Sequence, residues 1–142
     1  MLIPKRMSVI CARGVDCSMT EILLDTDVVI NLLKKREETI ATFHSLRGAT
    51  FYLSPIVIAE VYAGARPSEI EQIERLFSYF TTIDMDATTG KIAGEYAHAL
   101  WRAYHTISLE DFFLAATARQ HRLTLWTYNK KHYPMEDIQK IV

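Results

Sequence analysis

The chain has no excess of basic charge: 16 Lys and Arg oppose 17 Asp and Glu, for a formal net charge of −1 over 142 residues. This excludes the global positive field of a general nucleic-acid binder, so any such role must rest on local patches. Cysteine is scarce too, with only Cys11 and Cys17, both near the start. Two such residues offer no disulfide framework and suit a reducing compartment, and no further ligand-type residues stand at metal spacing around them. No apolar run approaches the roughly 18 residues that a membrane span requires. Lys5 and Arg6 precede an apolar patch at Ser8 to Ala12, but it is short and runs into Arg13 and Asp16, which argues against a secretory signal. The expected location is therefore the cytoplasm. Repeats, low-complexity tracts and long linkers are also missing. What remains is one compact domain, large enough to bury about 70% of the surface its unfolded chain would expose.

Within that domain, apolar runs of strand length alternate with segments of helical period. Ile22 to Leu24 reads as a buried strand and Val28 to Lys35 as a helix, with Asp27 as its N-cap. Thr50 to Leu53 is a second strand, followed by a helix with Ser54 as N-cap, Pro55 at its first position and Gly64 at its end. A helix is expected over Ser68 to Tyr79, a strand over Thr81 to Met85 and a long helix over Ala87 to Tyr104. "SLEDFFLAATARQH" then opens with Ser108 and Asp111 in a capping-box arrangement. Leu123 to Trp126 and Ile138 to Val142 complete the strands. This alternation predicts an α/β three-layer sandwich around a mainly parallel sheet, with ligands beyond the carboxyl ends of the strands. Residues 1 to 18 lack periodicity and read as a peripheral N-terminal extension before a domain spanning 19 to 142.

Three carboxylates are placed to meet at those strand ends. Asp25 closes the first strand, although a turn or cap would also explain an Asp at such a junction. Glu60 stands in the second turn of its helix with Ile56, Val57, Ala63 and Gly64 three or four residues away. On that apolar face an ionised carboxylate needs a cation or a donor, unless it lies on the rim and reaches water or a base such as Arg66. Asp111 can close its capping box and also face the close-packed side marked by Leu114 and Ala115. Thr127 and Asn129 follow the strand at Trp126, where they can position water or phosphate or form an ordinary turn. Acids converging without bases repel one another, and a hard divalent cation, Mg²⁺ or Mn²⁺, relieves that repulsion, activates water and stabilises charge on a phosphodiester.

Taken together, "ILLDTDVVINLL", "SPIVIAEVYAGA" and "ISLEDFFLAATARQHRLTLWTYNKKHY" resemble the PIN-domain ribonucleases, in particular the VapC-type toxins of toxin–antitoxin pairs. The resemblance runs from about Met19 to Val142. It implies an acidic metal site at Asp25, Glu60 and Asp111, metal-dependent cleavage of single-stranded RNA, a homodimer and a cognate antitoxin. Asn129 stands where many relatives carry a fourth acid, and Thr127 matches a hydroxyl often found just before it. Asp27 replaces a common Asn or Ser, as a helix cap behind the site or a recruiter of a second ion. Lys34, Lys130 and Lys131 are the basic candidates for an RNA backbone, and Tyr128 and Trp101 the aromatics that could stack on bases. A partner segment inserting Arg or Lys among the acids would inhibit by supplying the missing positive charge.

Other chemistries share the opening motif. Asp25-x-Asp27 also fits a haloacid-dehalogenase phosphatase, with Lys91 and Glu110–Asp111 completing it at poor spacing. A receiver-like signalling module would use Asp84 or Asp86 as phosphoacceptor and Lys130 as its lysine. Neither employs Glu60. A degenerate PIN domain that binds RNA or a partner without cutting is the remaining alternative.

Overall fold

A computed structural model describes residues 8–10, 16–18 and 21–141. Ser8–Ile10 (β1) and Asp16–Ser18 (β2) pair antiparallel as a two-stranded ribbon. Much of the expected extension, including Lys5, Arg6, Cys11 and Arg13, lies outside the described residues. The main body follows as β3 (Glu21–Leu24), α1 (Thr26–Leu33), α2 (Glu37–Ser45), β4 (Thr50–Leu53), α3 (Pro55–Ala63), α4 (Ile70–Phe77), β5 (Thr81–Thr82), α5 (Ala87–Leu100), α6 (Leu109–His121), β6 (Thr124–Trp126) and β7 (Lys140–Ile141). Short 3₁₀ turns occupy Pro67–Glu69 and Lys130–His132.

Strands β5-β4-β3-β6-β7 form one sheet in which every pair is parallel. The α/β architecture expected from the alternation is thus present, with helices covering a sheet too apolar to face water. Ile22, Leu23, Leu24, Leu125 and Trp126 are fully buried, as strands covered on both faces must be. The chain leaves the central strand β3 toward β4 and β5, then returns through α5 and α6 to lay β6 on the other side. That reversal makes the gap beyond the carboxyl ends of β3 and β6 the topological switch point, where such sheets bind ligands. Residues Ala115, Ala116 and Ala118, all buried, let α6 approach the sheet closely.

Several boundaries differ from the sequence expectation for physical reasons. Asp27 is not the N-cap of α1. Asp25 is, with extended backbone at φ −80° and ψ 161° and a side chain that accepts from Thr26 N, so the helix begins two residues earlier. Helix α2 was not anticipated: its only buried residue is Thr39, which leaves little apolar period to read. Helix α5 stops at Leu100, and Tyr104 lies beyond it, exposed. The caps at Ser54, Gly64 and Ser108 stand as expected. Because residues 21–141 complete the five-stranded sheet without β1 and β2, deleting residues 1–18 is expected to leave the melting temperature within about 2 °C of the full chain. A larger drop in a thermal melt would make the ribbon part of the folding unit.

Candidate active site

Strand register brings the first contacts together. Leu24 lies opposite Trp126 and the Asp25 amide donates to the Trp126 carbonyl, so the next residues on each strand, Asp25 and Thr127, emerge side by side. Thr127 Oγ1 donates to Asp25 Oδ2 at 2.8 Å, while Asp25 Oδ1 accepts from Thr26 N at 2.8 Å. Both residues are buried, and burial is what chiefly raises the Asp25 pKa, opposed by these donors and by Tyr133. The Asp111 charge pushes it in the same direction as burial.

Asp111 arrives from the first turn of α6. Its backbone amide donates to Ser108 Oγ at 3.2 Å and its Oδ2 accepts from Ser108 N at 3.3 Å, so the capping box is real. The same carboxylate reaches further: Oδ2 lies 3.0 Å from His132 Nδ1, and Oδ1 accepts from Tyr133 Oη at 3.2 Å. Tyr133 is fully buried, and its hydroxyl also faces Asp25. One phenol thus spans carboxylates from β3 and α6; its own pKa is driven far upward by burial and by those two acids. Sequence reasoning missed Tyr133 entirely and gave His132 no role at the acids. Nothing local marks a Tyr seven residues past a strand end as an inward-facing donor.

Glu60 corrects an expectation. It is exposed rather than set into an apolar face, because α3 buries Val57 and Val61 and Glu60 stands beside that stripe. Thr26 Oγ1 donates to its Oε1 at 3.1 Å, which aims it at the rim of the same crevice. Partial burial raises its pKa, Thr26 opposes, and the charges of Asp25, Asp111 and Glu110 add to the rise. Asp27 sits in the first turn of α1, accepting from Tyr128 N at 3.0 Å and so tying that helix to the segment after β6. Burial, then the neighbouring Asp25 charge, pushes its pKa up to about 6. Its other oxygen, Oδ1, is buried and meets no donor among the described residues.

Asn129 lies one step behind the acids. Its amide donates to Thr127 Oγ1 at 2.9 Å and its side chain meets His132 Nδ1 at 2.9 Å, so it reaches Asp111 only through that imidazole. Lys130 and Lys131 are exposed on the 3₁₀ turn next to it. Lys34 does not join them: it is the C-cap of α1, an eight-residue helix or about 12 Å from Asp25, and lines a cleft of ≈ 250 Å³ with Glu60 and Glu69. Two residues peculiar to the rival readings fall elsewhere. Asp86 caps α5 through Thr89 and Gln120, and Lys91 is exposed on that helix.

The donor set fits a hard divalent cation. Four carboxylates border the crevice, three of them are pushed toward protonation, and Asp27 Oδ1 has no protein partner among the described residues. Among the described residues, no three His, Cys, Asp or Glu side chains are yet gathered as a closed ligand set, and Thr26 holds Glu60 at the rim. The switch point of this parallel sheet is bordered by acids at the end of β3 and in α1, α3 and α6, with hydroxyl, amide and imidazole groups from the loop after β6, an arrangement suited to hydrolytic chemistry.

Residues 22–138 match the PIN domain, and the chain belongs to that family. It is 30% identical to Ribonuclease VapC10 of Mycobacterium tuberculosis over 115 residues, covering 80% of this chain and 86% of that protein. It is 29% identical to Ribonuclease VapC2 of Haemophilus influenzae over 120 residues, 81% of this chain and 91% of that one. Among solved structures, VapBC-1 from nontypeable Haemophilus influenzae superposes with a TM-score of 0.72 at 26% identity, covering 84% of this chain and 96% of that one.

The raised carboxyl groups make stability depend on pH. An Asp whose folded pKa exceeds its unfolded value of 3.8 binds its proton more tightly in the folded state, so stability falls as pH rises from about 4 to about 6. The metal-free protein is therefore expected to melt higher at pH 5 than at pH 7.5. Asp27→Asn should flatten that slope and stabilise the pH 7.5 form by up to about 2 kcal/mol after allowance for partial exposure. Parallel slopes for the two proteins in a calorimetric pH series would show that Asp27 ionises freely.

Proposed function

We propose that this chain is a divalent-metal-dependent endoribonuclease that acts as the toxin of a toxin–antitoxin pair. The observation that carries the reading is the approach of Asp111 to Asp25 around Tyr133 at the switch point of a PIN-domain sheet, with Glu60 held by Thr26 at the rim of the same crevice. The close relation to proteins named ribonucleases supports the reaction class, and the likeness to VapBC-1 supports an antitoxin partner. Mg²⁺ or Mn²⁺ is the cofactor we assign. A second copy of the chain completes the expected assembly, and its compartment is the cytoplasm. No helix among the described residues is long and apolar enough to cross a membrane.

Asp25, Asp111 and Glu60 would hold the ion, which when bound neutralises a scissile phosphodiester and lowers the pKa of water. The protein's part is orientation. Thr127 and Thr26 fix the Asp25 carboxylate from two sides, leaving its remaining lone pairs toward the crevice. Thr26 Oγ1 restrains Glu60, whose exposure lets it swing inward or take a proton from water. Asn129, with His132, keeps the far wall of Asp111 polar, and Lys130 and Lys131 offer positive charge where an RNA backbone would leave the site. Asp27 braces the loop after β6 through Tyr128 N and presents its free oxygen to a second ion or a water.

The test is cleavage of single-stranded RNA by purified protein. Activity is expected with Mg²⁺ or Mn²⁺, to vanish in chelator, and to fall at least about 100-fold in Asp25→Asn and in Glu60→Gln while circular dichroism stays native. RNA binding without cutting under every metal condition would instead favour the degenerate, non-cleaving PIN domain. For the partner, replacing the basic residues of a co-expressed antitoxin's toxin-binding segment is expected to restore cleavage by the complex, since unpaired acids attract cationic side chains. Full inhibition by the neutralised segment would show that it acts by steric cover alone.

A further inference from the structure

The connection between α5 and α6 has a composition that neither the fold nor the acidic crevice explains. From Tyr96 to Leu109 there is no Asp or Glu, although the chain carries 17 of them. Residues 101–106 are all exposed, and this run includes two large aromatics, Trp101 at 46% and Tyr104 at 39% exposure. Two large exposed rings on one short connection offer a candidate contact surface. Between them lies Arg102, which among the described residues has no carboxylate within ion-pair distance, and exposed His98 and His105 flank the group.

The aromatics are not loose. Trp101 donates its indole N–H to the Ile107 carbonyl at 3.2 Å and packs edge-on against Phe112, with centroids 5.8 Å apart. Its polar atom is satisfied and one edge is anchored, so what remains exposed is a fixed ring. Tyr104 is held by backbone bonds to Leu100 and from Ile107. The platform also adjoins the site: Ile107 precedes Ser108, whose side chain caps Asp111, and Phe112 follows Asp111 directly. The exposed connection therefore runs directly into the turn that carries Asp111.

We propose that the α5–α6 connection is the substrate platform for single-stranded RNA. Trp101 and Tyr104 stack on unpaired bases and Arg102 neutralises a phosphate, with the His98 and His105 rings as further donors. Stacking on a pre-fixed ring asks for bases that are not already paired, which a duplex does not offer. The platform supplies the local attraction that the chain's balanced net charge cannot, beside a crevice whose acids repel RNA. It deepens the ribonuclease reading by assigning where the substrate lies.

The experiment measures binding of a fluorescently labelled 12-nucleotide single-stranded RNA by anisotropy, in chelator, so that binding is read apart from cutting. Tyr104→Ala, Arg102→Ala and Trp101→Phe are compared with the unaltered protein; the last keeps a ring against Phe112. Tyr104→Ala and Arg102→Ala are each expected to weaken binding about tenfold. Arg102→Ala should also reduce the slope of log affinity against log salt by about 0.7, the value for one phosphate contact on a single strand. Trp101→Phe should lose less than Tyr104→Ala. Affinity within twofold in the two alanine variants, with native melting curves, overturns the platform. So does a loss of dimer mass by sedimentation with RNA affinity intact, since the surface would then join two copies. Metal-dependent cleavage by the unaltered protein is scored separately, so the platform can fail while the nuclease stands; RNA binding without any cleavage refutes the nuclease instead.

Discussion

The hydrogen bond from Thr127 to Asp25 is the contact on which the site's arrangement depends. It sits where β3 and β6 diverge, and it exists only because the two strands pair in the register that sets Leu24 against Trp126. Shifting that register by one residue would turn Asp25 into the core and Thr127 away from it. The buried apolar strands thus do chemical work indirectly. By fixing which residue is last inside, they decide which residue is first outside.

Around that seam the protein gathers negative charge and then restrains it. Each carboxylate has its own donors: Thr26 and Thr127 for Asp25, the Tyr128 amide for Asp27, Thr26 for Glu60, and Ser108, His132 and Tyr133 for Asp111. Hydrogen bonds of this kind stabilise the ionised forms, but burial and mutual repulsion outweigh them at Asp25, Asp27 and Glu60. The balance is characteristic of a site shaped for an external positive charge. Tyr133 makes the point sharply, since its single phenolic hydrogen faces two acids and can serve only one at a time.

Much of this was legible in the residues. Strand length, helix caps and the alternation of the two disclosed the parallel sheet, and the position of Asp25 at a strand end followed from the sheet. Asp111 was legible through its capping box. Asp27 was misread because the sequence offers two good caps two residues apart, and only the backbone angles at Asp25 decide between them. Glu60 was singled out for a burial it does not have. Helix α3 is apolar on nearly every side, so periodicity could not tell its buried stripe at Val57 and Val61 from the face beside it. Tyr133 and His132 were illegible because they act through a loop whose path is set by tertiary contacts, among them Lys140 donating to the carbonyls of Tyr133 and Met135.

The sheet's two margins, β5 and β7, are each only two residues long. So brief a margin presents too few unpaired amides and carbonyls to nucleate β-augmentation, the usual route by which an open sheet recruits an extended peptide or a twin. Neither margin of this sheet is therefore built to take on a further strand, and the mouth of the crevice is left free of strand-to-strand competition.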